Sequence, residues 1–311
     1  MQKKMFNYCV IIPYKNLPNL LEIAVKSIPI RDDIQIVVID DNSDLELKED
    51  NYEFLKRDTL SYVYTTEGKG AGFARNIGID NSNAKWLLFL DADDYFHEQA
   101  FEIFDKYRDS DYDVIHFNQQ GVDLDTGEPS SRCDMFQNLI LQYSSNPSLM
   151  NSNIIRYKLH TPYVKMIRAN MVKHNHIRFD ECLASNDVMF SARVGYHASK
   201  IFVDPNVCYY VTERRGSLTK VRSKENAFSR YCVWLSYNDY MLSVGAKECR
   251  EMVLSWIIKS LVYFGSKEFC KYIKKAYETK SNIFVKSYGI ISSIYHHLVA
   301  LILKDKYIVK E

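Results

Sequence analysis

At 311 residues, with 40 basic against 39 acidic side chains, the chain has no global field that would mark a nucleic-acid partner. Apolar residues at 47% and charged ones at 25% are ordinary for a globular protein able to bury two lobes or one large α/β domain. The seven scattered cysteines include no CxxC pair, which excludes a zinc signature and a disulfide framework and points to a reducing compartment.

Residues 8–13 predict a strand closed by Pro13-Tyr-Lys-Asn16, and Leu20, Leu21, Ala24, Val25 and Ile28 repeat at helical spacing after it. The start has no small-residue cleavage site, so it reads as a strand and not a signal peptide. No uncharged apolar run approaches the ~20 residues a membrane helix needs. Residues 34–39 are a second strand ending on Asp40-Asp41-Asn42-Ser43-Asp44, and residues 62–64 a short third. A glycine loop, residues 68–72, opens a helix. Residues 86–90, five consecutive apolar positions, predict a strand buried on both faces that emerges on Asp91-Ala92-Asp93-Asp94. A helix near residues 98–107 and a strand at 114–117 follow. Strands alternating with helices predict a mostly parallel, doubly wound sheet, whose ligands bind beyond the carboxyl ends of the strands. Each polar cluster just named falls at such an end.

Past Asn118 the pattern loosens. Residues 123–128 read as a hairpin turn, 134–143 as a helix, 162–167 as a strand, 169–174 as a helical turn and 187–198 as a helix. Residues 201–203 and 207–211 read as two further strands. From residue 223 the chain reads as wholly helical, with Trp234, Tyr237, Met241 and Val244 on one face. From residue 251 onward, ten lysines face five acidic residues, so this tail is basic.

Three carboxylates within four residues repel one another, and a hard divalent cation shared with phosphate oxygens relieves that cost. The other Asp-x-Asp pairs, at Asp111/Asp113 and Asp123/Asp125, precede a strand or sit in a turn, where Asp serves local hydrogen bonding. A calcium loop fails because its sixth position is Phe96 in place of glycine. Gly68-Lys-Gly-Ala-Gly-Phe-Ala-Arg75 carries Arg75 where a dinucleotide loop needs its third glycine, and there is no Walker sequence. Arg75 opening a helix suits a diphosphate instead. His174-Asn-His176 and His296-His297 lack companion ligands at metal spacing and are read as surface residues.

Four segments in order, Val10-Ile-Ile-Pro13-Tyr-Lys-Asn16, Val37-Val-Ile-Asp40-Asp41-Asn-Ser-Asp44, Gly72-Phe-Ala-Arg75-Asn-Ile-Gly78 and Leu88-Phe-Leu-Asp91-Ala-Asp93-Asp94, resemble the family 2 glycosyltransferases of GT-A fold. The resemblance covers residues 8–105. It runs more loosely through residues 162–168 and 177–181 to residues 216–219. It implies a GT-A, Rossmann-like doubly wound mixed sheet with a C-terminal helical extension. The expected divisions are a nucleotide-sugar-binding half at 1–120, an acceptor-binding half at 121–222 and a basic helical region at 223–311. By the resemblance, Pro13, Asn16, Asp40, Asp41, Arg75, Asp91 and Ala92 line the donor site, Asp93 holds Mn²⁺ or Mg²⁺, and Arg214 and Arg215 clamp the diphosphate. Asp187 would be the base of an inverting transfer from a nucleoside diphosphate sugar, UDP being the expected nucleotide, to a saccharide or polyprenyl-linked acceptor. Asn186 stands where the family usually has Glu, and Asn42 where it usually has Gly. The expected setting is cytoplasmic, at the inner face of the membrane, with the basic helices touching anionic lipid. A nucleotidyltransferase wants a glycine-rich basic loop directly after the first strand, which Pro13-Tyr-Lys-Asn16 is not. A non-catalytic nucleotide-sugar scaffold finds its one support in Asn186.

Overall fold

The computed structural model describes residues 5–47, 51–147, 149–213 and 223–279. Arg214, Arg215 and His296-His297 lie outside the described residues.

The first compact unit takes residues 1–182 and 186–221. It opens with β1 (Phe6–Tyr14), α1 (Pro18–Lys26), β2 (Ile34–Asp41), β3 (Leu60–Thr65), α2 (Ala71–Asn81) and β4 (Ala84–Phe89). Next come β5 (Tyr95–Phe96), α3 (Ala100–Asp105), β6 (Val114–Asp123), β7 (Pro129–Ser130), α4 (Asp134–Ser145) and α5 (Leu149–Lys158). The unit closes with β8 (Lys165–Arg168), α6 (Ala169–His174), α7 (Asn186–His197) and β9 (Ile201–Glu213). The strands form one sheet in the order β3-β2-β1-β4-β8-β6-β9-β5, with β7 on β6. β1 to β4 are mutually parallel, β8 runs against both β4 and β6, and β9 runs with β6.

Alternation along β1 decides which helices cover which face. Tyr8, Val10 and Ile12 pack with Leu21, Val25, Phe101 and Phe104 of α1 and α3. Cys9 and Ile11 pack on the other side with Ala74, Ile79, Val172, Phe190 and Val194 of α2, α6 and α7. Both faces are therefore buried, as continuous apolar runs require. Gly78 lets α2 lie close: a Cβ there would sit 2.3 Å from Ile11 Cγ2. On this face Phe179 stacks on Phe190 at 3.8 Å, and Phe89 meets both edge-on. That aromatic cluster fixes the first turns of α7 against the end of β4.

Two local readings differ from the sequence. The two short strands at 201–203 and 207–211 are one 13-residue strand, β9, because its register against β6 shifts at His116/Asn118 and absorbs the polar Asp204–Asn206 step. The strand at 162–167 is shorter, beginning at Lys165, since Thr161 and Pro162 still belong to the approach loop.

The second unit, residues 183–185 and 222–311, contains α8 (Lys224–Ser243), α9 (Leu254–Phe264) and α10 (Ser266–Tyr277). Ser223 caps α8 by accepting from the Asn226 amide at 3.0 Å. Tyr237 and Met241 are buried as expected, while Trp234 and Val244 are half-buried. A further seam, Tyr231 and Leu235, packs on Ile257, Tyr272 and Ala276, with Tyr231 stacked on Tyr272 at 4.6 Å.

Candidate active site

The carboxyl ends of β1, β2 and β4 and the start of α2 carry the polar residues singled out above. Pro13 is half-buried, in register with Ile39. Asn16, at φ 57°, ties the loop after β1 to the loop after β2: its amide N–H donates to Ser43 Oγ at 2.9 Å and its side-chain oxygen accepts from Asp44 N at 2.8 Å. Asn42 sits at φ 59°, a left-handed conformation that Asn tolerates better than most residues, which explains how it can stand in for glycine.

The two adjacent aspartates do different work. Asp40 is fully buried, and its oxygens accept from Ser43 N at 2.8 Å and from the Tyr62 hydroxyl. Asp41 Oδ2 accepts from Gly70 N at 2.8 Å, at the entry to α2. Its Oδ1 is buried with no hydrogen-bond partner, as is Arg75 Nε. Buried polar atoms normally find a partner, so these two mark where ligand or solvent groups belong.

Arg75 is the centre of the arrangement. It is 8% exposed at the side chain; Nη2 donates to Asp91 Oδ1 at 2.5 Å and Nη1 to Asn186 Oδ1 at 2.8 Å. Its guanidinium also lies over Phe179, 5.3 Å from the ring centroid. Burial would push Arg75 down, but Asp91 and Asp187 outweigh it and shift the group up, so it stays cationic. Gly72 makes this approach possible, since a Cβ there would lie 2.3 Å from the Asp180 carbonyl and 3.0 Å from Asn186 Cβ.

Asn186 and Asp187 open α7 directly after Ser185, which takes φ 63°. Burial raises the Asp187 carboxyl above its ordinary range, Arg75 pulls it back, and Asp91 adds to the rise. A helix N-terminus favours the ionised form of this carboxyl. The structure thus gathers Arg75, Asp91, Asn186 and Asp187 at one point from three separate stretches of chain.

Beyond β4, Asp91 and Asp93 are half-exposed, while Ala92 and Asp94 are buried. Burial first, then Asp91 and Asp93, push the Asp94 carboxyl well above the usual carboxylate range. Asp91 Oδ1 is held by Arg75, and Asp93 is the other half-exposed carboxylate of this turn. Among the described residues no group of three or more His, Cys, Asp or Glu side chains is arranged to hold a metal. One carboxylate, completed by diphosphate oxygens and water, is the donor set Mg²⁺ or Mn²⁺ takes at nucleotide sites, so the residues fit such an ion.

Sequence reasoning passed over two groups here. Lys165 is 2% exposed; its ammonium donates to the Leu159 carbonyl at 2.6 Å, and burial lowers it to about 7, with Asp187 opposing. His116, its cross-strand partner, is also buried, and burial pushes it well below its ordinary range. A lysine and a histidine inside a strand run against the apolar pattern that strand-finding relies on, so only their conflict with that pattern could have flagged them.

A parallel four-strand start, an inserted antiparallel strand and acidic loops at the carboxyl edge make up the GT-A architecture of sugar-nucleotide transferases. The model of glycosyl transferase family 2 matches residues 9–170, and the chain belongs to that family. A poly(ribitol-phosphate) β-N-acetylglucosaminyltransferase, TarS of Staphylococcus aureus, is 29% identical over 222 residues, covering 68% of this chain and 36% of its own. The chain therefore spans about a third of the length of that relative. The glycosyltransferase EpsJ of Bacillus subtilis is 23% identical over 263 residues, 77% of this chain and 72% of EpsJ. Among solved structures, TarS 1–349 in complex with UDP-GlcNAc superposes with a TM-score of 0.68 at 20% identity, over 86% of this chain and 79% of that one. At that identity the likeness shows the fold. No helix among the described residues is long and apolar enough to cross a membrane.

Proposed function

We propose that the chain is an inverting glycosyltransferase that moves a hexosyl or N-acetylhexosaminyl group from a UDP-sugar to a hydroxyl of a saccharide or lipid-linked saccharide. The observation that carries this reading is the Arg75 fork between Asp91 and Asn186, with Asp187 next in the chain. The buried Asp41 Oδ1, which has no hydrogen-bond partner, supports this reading as an acceptor for a nucleobase imide N–H. Mn²⁺ or Mg²⁺, held through Asp93, would neutralise charge on the diphosphate. Arg75 adds a fixed, buried positive charge on the same side. Asp187 takes the proton of the attacking hydroxyl as the sugar–phosphate bond breaks, so the sugar inverts in one displacement. Asn186 does not vacate the place of the usual Glu, since its Oδ1 still accepts from Arg75. Against the scaffold reading stand the carboxylates of Asp91, Asp93 and Asp187.

The relative's name, β-N-acetylglucosaminyltransferase, makes UDP-GlcNAc the first donor to try. The assay is nucleotide release across a panel of sugar nucleotides with Mn²⁺. We expect one donor to be hydrolysed slowly without acceptor, and EDTA or Asp93→Ala to abolish this. Binding and turnover of no donor by folded protein would overturn the reading. Action at the inner membrane face is part of the proposal: α9 and α10 expose Leu261, Val262 and Tyr263 together with Lys267, Lys271 and Lys274. Sedimentation with vesicles rich in anionic phospholipid, and not with neutral ones, is the result expected; equal sedimentation with both would remove the electrostatic part.

A further inference from the structure

The turn from β4 into β5 is held from one side by a single strand. Asp94 Oδ2 accepts from the Tyr209 hydroxyl at 2.9 Å and Oδ1 from Thr212 N at 2.7 Å. Thr212 Oγ1 donates to the Asp93 carbonyl at 2.6 Å, and Asp91 N donates to the Tyr209 hydroxyl at 3.1 Å. The turn closes on itself through Asp94 N to the Asp91 carbonyl at 3.0 Å. Tyr209 is fully buried and is braced by Tyr163, stacked at 4.5 Å, while Tyr95 and Phe96 pair with Tyr210 and Tyr209 across β5 and β9.

Every bond in this set grips backbone or the Asp94 side chain. The Asp91 and Asp93 side chains are half-exposed, with Asp91 Oδ1 on the Arg75 guanidinium, and they alternate with buried Ala92 and Asp94. A short acidic turn that carried no such ties would have to order its backbone when a cation arrived, at a cost in conformational entropy. Hydrogen bonds to the groups that carry a metal ligand commonly govern metal affinity by 10–100-fold, so their loss is measurable.

We propose that Tyr209, Thr212 and Asp94 are positioning residues that hold the Asp91–Asp93 turn ready for a divalent cation bound with a nucleoside diphosphate. The proposal rests on the donor-site reading above and adds to it three residues that act through the turn.

The test is a Mn²⁺ titration followed by the electron paramagnetic resonance signal of the free ion, with UDP present, on wild type, Thr212→Val, Tyr209→Phe and Thr212→Ser. Thr212→Val and Tyr209→Phe each delete one hydroxyl at nearly constant shape, and thermal unfolding confirms that they fold. Half-saturating Mn²⁺ is expected to rise on the order of 10-fold in both, and to return towards wild type in Thr212→Ser, which keeps the hydroxyl. UDP affinity without metal stays as in wild type, and kcat at saturating Mn²⁺ falls by less than the affinity does. Unchanged Mn²⁺ affinity in folded Thr212→Val and Tyr209→Phe overturns the proposal while leaving the donor site standing. Failure of wild type itself to take up Mn²⁺ with UDP overturns the donor-site reading beneath it.

Discussion

Asp187→Asn is expected to cut sugar transfer on the order of 10²–10⁴-fold, the usual worth of a general base, while donor affinity stays within about two-fold. The substitution is nearly isosteric, and its neighbour Asn186 still accepts from Arg75 at 2.8 Å, so the local frame persists. The pH dependence carries a second signature. Burial raises the Asp187 carboxyl above its ordinary 3.8, and the base must be ionised to act. Activity therefore rises with pH through a midpoint above that ordinary value and levels off beyond it. Arg75 pulls the same carboxyl down, so Arg75 loss moves the acid limb upward. Asn186→Asp places a like charge beside Asp187 and should move it in the same direction. An acid limb that stays put in both variants would mean that Asp187 is not the titrating base. The pH profile of kcat/KM, measured with the donor found active, decides this.

Arg75→Met is expected to damage both stability and rate. The pair is buried on the arginine side, and its removal leaves Asp91 without its counter-charge and Asn186 Oδ1 without its donor. Breaking a buried pair costs about 3–5 kcal/mol; Asp91 is 28% exposed, so about 2–3 kcal/mol is the expected loss. In the proposed reaction the lost positive charge should lower kcat by roughly 10²–10³-fold. Arg75→Lys keeps the charge but cannot make both fork bonds, and should recover only part of each effect. Thermal unfolding and kcat, measured on the same preparations, separate the two losses. A Lys variant equal to wild type would show that charge alone matters.

The parts of the fold legible in the sequence are those where one physical rule dominates. Residues 86–90 read as a strand buried on both faces because nothing polar interrupts them, and β4 is that strand. The Asp123 hairpin and the 169–174 turn were set by local turn chemistry and survive in the structure. The carboxyl-edge rule puts Asp41 and Asp91 on one edge of the sheet, and the structure pairs Asp91 with Arg75 of α2 there. What stayed hidden needed long-range information. β8 inserts antiparallel between two strands that run together, a choice no local pattern encodes. Lys165 and His116 contradict the apolar rule and are tolerated only through contacts distant in sequence. Asp94 looked like a third carboxylate for a cation. Only β9, over a hundred residues on, shows that it faces inward to Tyr209 and Thr212. Asp40 and Asp41 were both expected at the donor site, and the structure separates them: Tyr62 and Ser43 occupy Asp40, while Gly70 occupies only half of Asp41.

The measurement closest to the central claim, that a nucleoside diphosphate sugar binds at the carboxyl ends of β1, β2 and β4, is calorimetric titration of the protein with UDP in Mn²⁺. It needs no acceptor, and the same titration is repeated on Asp41→Asn and Asp93→Ala. The account predicts one site per chain, weakened in Asp41→Asn with or without metal and in Asp93→Ala only when Mn²⁺ is present. Binding that both substitutions leave untouched would place the nucleotide elsewhere and contradict the account.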